Sequence, residues 1–191
     1  MAIDPSNFDT SNVVDTCAVW NVLSSRRLYS AALLAQCHFV ITTFVEYECL
    51  HKPRRVAKRS DGELKSRLQV EQGNGNFGAY SCDLEDLQSV TLLQNRRRLG
   101  KGEISSIAFA MKYRQALLTD DQKARRLASD AGHGSVQTTP HLFGWLIFTG
   151  RLGDGDKDAV IFEHRELDGI LGKYLEEAYL LALRYRLAEK N

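Results

Sequence analysis

Three short apolar runs, each handing over to a helical pattern at an acidic or hydroxyl side chain, constrain this chain more than any other feature. Residues 12–15 (Asn, Val, Val, Asp), 39–42 (Phe, Val, Ile, Thr) and 116–119 (Ala, Leu, Leu, Thr) are apolar, rich in branched side chains and followed by helical spacing. They read as buried strands. Strands alternating with helices predict an α/β fold with a mainly parallel sheet covered on both faces. An open sheet of this kind binds its ligands beyond the carboxyl ends of its strands. Asp15, Thr119, Asp120 and Asp121 stand at those ends.

The stretch from residue 99 to 128 organises the rest. Gly100 and Gly102 mark a loop, Glu103 falls in the first turn of a helix carried by Ile104, Ile107, Ala108 and Met111, and Asp120 and Asp121 open the next helix. Residues 1–11 are expected as a disordered or expression-derived lead-in. One or two helices fit between residues 20 and 34, and a helix over 43–50, carrying Glu46 and Glu48, ends near Pro53. Residues 61–70 predict a helix, 72–78 a turn-rich break, and 84–93 fit helix and strand equally. The helix after Asp121 stops at Gly132, residues 135–137 form a last strand, and Pro140 and Gly150 bracket a helix over 142–149. An acidic turn is expected at 154–158 and an amphipathic helix over 170–187.

With 191 residues, 43% of them hydrophobic, the chain fits one domain able to bury about 70% of its unfolded surface. Its net charge of +1 leaves no global field for a polyanion, so any such partner must be held by local basic patches. Residues 54–59, 96–101 and 123–126 supply them, with Arg54, Arg55, Arg97, Arg98, Lys101 and Arg125 as candidate phosphate contacts. No apolar run approaches the 18 or so residues of a membrane span, and the first residues lack the pattern of a signal peptide. Cys17, Cys37, Cys49 and Cys82 show no metal-type spacing and read as free thiols of a cytoplasmic protein.

In the order and spacing of these motifs, residues 12–152 resemble the PIN-domain nucleases, and most closely the prokaryotic toxin ribonucleases of toxin–antitoxin pairs. The resemblance rests on the first strand ending at Asp15, a strand-to-helix segment with an internal Glu, the Gly-Lys-Gly-Glu103 helix start, and Thr119-Asp120-Asp121 followed by Ala124 and Arg125. It implies a three-layer α/β/α sandwich, with a basic and glycine-rich insertion around 53–82 and an added helical extension over 153–191. It further implies a metal-dependent ribonuclease, for which single-stranded DNA is a second substrate to test, a homodimer, and an antitoxin as a candidate partner. A catalytically silent PIN-like module that binds RNA or protein is the alternative.

Carboxylates without His or Cys partners suit hard cations such as Mg²⁺ or Mn²⁺, which activate water and neutralise charge on a phosphate. Asp15, Glu103 and Asp121 are the expected ligands, Asp120 a neighbour able to substitute, and Thr119 the hydroxyl that orients them. The second-helix carboxylate stays ambiguous: the offset from Thr42 favours Glu48 in the catalytic set, whereas the local Thr-x-x-Glu pattern selects Glu46. Taken singly, an aspartate after a strand is most often a helix N-cap.

Overall fold

Val13 and Val14 are adjacent and both fully buried, yet they belong to different hydrophobic clusters. Successive side chains of a strand point to opposite faces, so their sheet must be covered on both sides. The computed structural model of the protein describes residues 4–53, 59–93 and 100–189, and in them this expectation is met.

The sheet is parallel throughout. β1 (Ser11–Val14) lies between β2 (His38–Thr42) and β4 (Ala116–Leu118), with β3 (Gly78–Tyr80) and β5 (Val136–Gln137) at the edges, giving the order β3-β2-β1-β4-β5. The chain steps outward from β1 to β3, then crosses back to β4 and continues to β5. Right-handed crossovers running in opposite directions put their helices on opposite faces. Accordingly α1 (Thr16–Ser24) and α2 (Arg26–Leu34) bury Val19, Val22 and Leu28 against Val14 and Leu118, whereas α6 (Lys101–Tyr113) and α7 (Gln122–Asp130) bury Ile107 and Leu127 against Val13 and Leu117. The β1/β4 boundary is the switch point, and both strands open a cleft at their carboxyl ends there.

Several boundaries differ from the sequence reading. Residues 4–10, expected as part of a lead-in, are docked: Phe8 is buried and stacks on Trp145 at 5.2 Å. The 53–82 stretch is integral to the domain, because α4 (Arg59–Gly73) contributes Leu64 and Leu68 to the core and Phe77 leads into β3. That edge strand was hidden in a glycine-rich segment too short to show a period. Residues 84–93, which fitted either class, form α5 (Leu84–Leu93). Beyond α3 (Thr43–Leu50) and α8 (Thr139–Phe148), the acidic turn expected at 154–158 is instead the start of α9 (Asp154–Glu166). Asp154 and Asp156 occupy its first turn, where the helix dipole favours negative charge.

The C-terminal helix is likewise no appendage. α10 (Gly172–Glu189) buries Leu175, Ala178 and Ala182 in the main core, and Gly144 of α8 lets the two helices approach until a Cβ there would stand 3.3 Å from the Ala178 carbonyl. None of the four cysteines forms a disulfide; Cys37 and Cys49 are buried and Cys17 and Cys82 half-buried. No helix among the described residues is long and apolar enough to cross a membrane.

Candidate functional site

Asp15 leaves β1 at the switch point and caps α1. Its Oδ1 accepts from the Ala18 N–H at 2.8 Å, the N-cap bond that one orphan donor of a new helix requires. Its Oδ2 accepts the Thr119 hydroxyl from the end of β4, and the Cys17 thiol donates to the same carboxylate at 3.1 and 3.3 Å. The side chain is buried, at 1% exposure. Burial pushes its pKa up to about 7 against the opposing pull of the Thr119, Ala18 and Cys17 hydrogen bonds, and the charge of Asp120 adds to the rise. The Cys17 thiol is driven upward as well, by burial and then by the Asp15 and Asp120 carboxylates.

Asp120 and Asp121 divide into two roles. Asp120 Oδ1 accepts from the Thr139 N–H at 2.9 Å, and its Oδ2 accepts from the Thr139 hydroxyl at 2.7 Å and the Asn21 amide at 2.8 Å. Burial raises its pKa, against the hydrogen bonds from Thr139 and Asn21. Asp121 turns to its own helix, its Oδ1 accepting from the Lys123 and Ala124 N–H groups at 2.6 and 3.0 Å. Thr119 joins the two strand ends, receiving the Asp121 N–H at 3.2 Å while donating to Asp15.

Glu48 and Glu103 form a second pair beside this one. Thr42, at the end of β2, accepts from the Val45 N–H and bonds to the Ser105 hydroxyl at 2.6 Å, and Ser105 donates to the Gly102 carbonyl. This relay fixes the first turn of α6 against the start of α3. Glu48 Oε2 accepts the Thr16 hydroxyl at 2.8 Å, its Oε1 is paired with Lys52 at 2.9 Å, and the side chain is 11% exposed. Gly100 and Gly102 make room: a Cβ on Gly102 would collide with Glu48 Oε2, and one on Gly100 would collide with Glu103 Oε2 and stand 3.5 Å from Glu48 Oε1. Glu103 Oε2 is buried and finds no hydrogen-bond partner among the described residues. An unpartnered buried oxygen costs about 1–3 kcal/mol, more when charged, and therefore calls for an explanation.

Glu46 lies elsewhere. It accepts from Gln72 at 2.7 Å, which ties α3 to α4 and takes it away from Glu48. Arg125 donates to the Asp120 carbonyl at 3.1 Å, and Lys101 lies 6.0 Å over the Phe44 ring at the start of α6. Arg54, Arg55, Arg97 and Arg98 lie outside the described residues. Two groups thus stand side by side, Asp15 with Asp120 and Glu48 with Glu103, bridged in sequence by Thr16. Among the described residues, no three His, Cys, Asp or Glu side chains are gathered closely enough to hold a metal ion in this arrangement.

The sequence reading overlooked the support for these carboxylates. Thr16, Cys17, Asn21 and Thr139 each donate to one of them. A signal was present: Cys17, Asn21 and Ser24 recur at helical spacing, a polar stripe on a helix otherwise apolar. No protein-family model matches this chain, and a search of curated proteins finds no match.

Proposed function

We propose that the protein is a metal-dependent nuclease of the PIN type that hydrolyses phosphodiester bonds in RNA. The observation that carries the reading is the buried, unpartnered Oε2 of Glu103 beside Glu48 in a cradle kept open by two glycines. A protein interior satisfies its own polar atoms, and an exception next to a second carboxylate fits a position that a cation completes. The donor set is all oxygen, which suits Mg²⁺ or Mn²⁺. Glu48 and Glu103 are the residues that would hold the ion, with Asp15, Asp120 and Asp121 as the neighbouring carboxylates.

A bound ion of this class lowers the pKa of water and offsets charge on the phosphate. The chain itself supplies orientation. Thr119 holds the Asp15 carboxylate in one direction, and Thr16 does the same for Glu48. Lys52, already paired with Glu48, is a cation within reach of a phosphate on the same rim.

The absence of three converging carboxylates among the described residues favours the second reading, a silent module that binds RNA or protein without cutting it. The test is cleavage of labelled RNA and single-stranded DNA by metal-stripped protein, with Mg²⁺ or Mn²⁺ returned and Asp15→Asn as control. Metal-dependent cutting lost in the variant supports the nuclease and identifies its polymer. No cutting, with no ion binding by calorimetry, leaves the module.

A further inference from the structure

A cavity of about 330 Å³ opens between α1, α4 and the loop joining α9 to α10, and Cys17, Asp120 and Asp121 are among the residues that line it. It is therefore continuous with the candidate site. Trp20 on α1 and Ile170 on the loop supply apolar walls, Ile170 being 85% exposed, while Asn21, Ser60 and Asp168 supply polar edges. Among the described residues, three carboxylates and no Lys, Arg or His line it.

The cavity is built rather than incidental. His164, buried on α9, accepts the Leu171 N–H at Nε2 (3.0 Å), so in its neutral form Nδ1 donates to Ser24 Oγ at 2.6 Å. Ser24 donates onward to the Asn21 carbonyl at 2.6 Å, and the Asn21 amide holds Asp120. Gly169 is required by the same contact, since a Cβ there would collide with the imidazole. Asp168, in the left-handed region at φ 59°, is pinned by the Ser60 hydroxyl at 2.7 Å. One chain of hydrogen bonds thus fixes the loop wall to the acidic end of the slot.

We infer that this slot binds a single unpaired nucleobase next to the phosphate presented to the carboxylates; the inference rests on the nuclease reading, which places a nucleic-acid strand there. Charge selects the occupant. Carboxylates repel a phosphate but accept from ring and exocyclic N–H groups, and an indole such as that of Trp20 offers a face on which a base stacks. The volume lies at the small end for ligand sites and accommodates one base. Guanine, with N1–H and N2–H on one edge, matches a carboxylate best, and uracil, with one N–H, matches worst.

Trp20 reports directly, because the chain has two tryptophans and Trp145 packs on Phe8. Trp145→Phe protein is titrated without divalent ions against GMP, AMP, CMP, UMP and ribose 5-phosphate, with calorimetry of the unaltered protein as a second measurement. GMP is expected to quench Trp20 and to bind about tenfold tighter than UMP, ribose 5-phosphate to leave the signal unchanged, and Asp168→Asn to lose the tenfold preference. Equal responses to all five compounds, or none in either measurement, overturn the slot. So does metal-dependent RNA cleavage with no base preference at the cut, which leaves the nuclease reading standing. A GMP response in a protein that cuts no RNA has the reverse meaning: base binding stands and the nuclease reading falls.

Discussion

The two carboxylate groups beyond the carboxyl ends of the strands are satisfied in opposite ways. Asp15 accepts from a backbone N–H, a hydroxyl and a thiol, so the fold itself completes it, whereas Glu103 keeps a buried oxygen bare beside a glutamate already shared between Thr16 and Lys52. The first arrangement is that of a structural cap under electrostatic load. The second is that of the site we propose for a cation. Burial alone does not separate them; the count of donors does.

The largest expected effect concerns the loaded cap. An ordinary aspartate loses its proton near pH 3.8, and Asp15 holds its own to about 7. Between those values the folded protein keeps a proton that the unfolded chain has released, so Asp15 makes stability fall as pH rises through this window. The slope approaches about 1.4 kcal/mol per pH unit, for a total on the order of a few kcal/mol. Asp15→Asn keeps a cap acceptor and removes the charge. Urea unfolding of both proteins at several pH values from 4 to 8 is expected to show the variant gaining relative stability as pH rises; a constant difference would break the contrast.

Glu103→Gln is expected to weaken Mn²⁺ binding about 100-fold by calorimetry while the urea midpoint hardly moves, because the bare oxygen makes no internal bond. Asp121→Asn should weaken it about tenfold or less, since one oxygen of Asp121 already serves its helix. Equal losses would place both carboxylates in the same class. Gly102→Ala tests the cradle: helix propensity gains about 1 kcal/mol, but the new Cβ displaces Glu48, so ion affinity should drop about tenfold with thermal stability little changed. The smallest effect is that of Lys52→Met. The Lys52 side chain is 55% exposed, so stability should stay within about 0.5 kcal/mol, and Mn²⁺ should bind about two- to threefold tighter once its competitor for Glu48 is gone. Weaker binding in this variant would mean that Lys52 positions Glu48 instead of competing for it.

The strands that carry Asp15 and Thr119 were legible because a strand buried on both faces must be continuously apolar, and the polar residue that ends it stands out. Glu48 and Glu46 were not separable in the same way. Two residues apart on a helix, they point to different sides, and only the packing of α4 decides which side meets α6: Gln72 takes Glu46, and the glycines of α6 receive Glu48. The docked segment before β1, the edge strand at Gly78–Tyr80 and the helix from Asp154 were missed for a related reason, since each is stabilised by contacts with residues distant in the chain.

By itself the sequence determined the alternation of strands and helices, the parallel sheet and the acidic ends of β1 and β4, all set by local periodicity and capping chemistry. Only the tertiary structure decided which carboxylate the protein satisfies and which it leaves bare. It also made the last helices part of the core and walled a slot with them beside Asp120. Hydrogen-bond saturation and cavity shape depend on side chains brought together from four or more elements, and no window along the chain contains them at once.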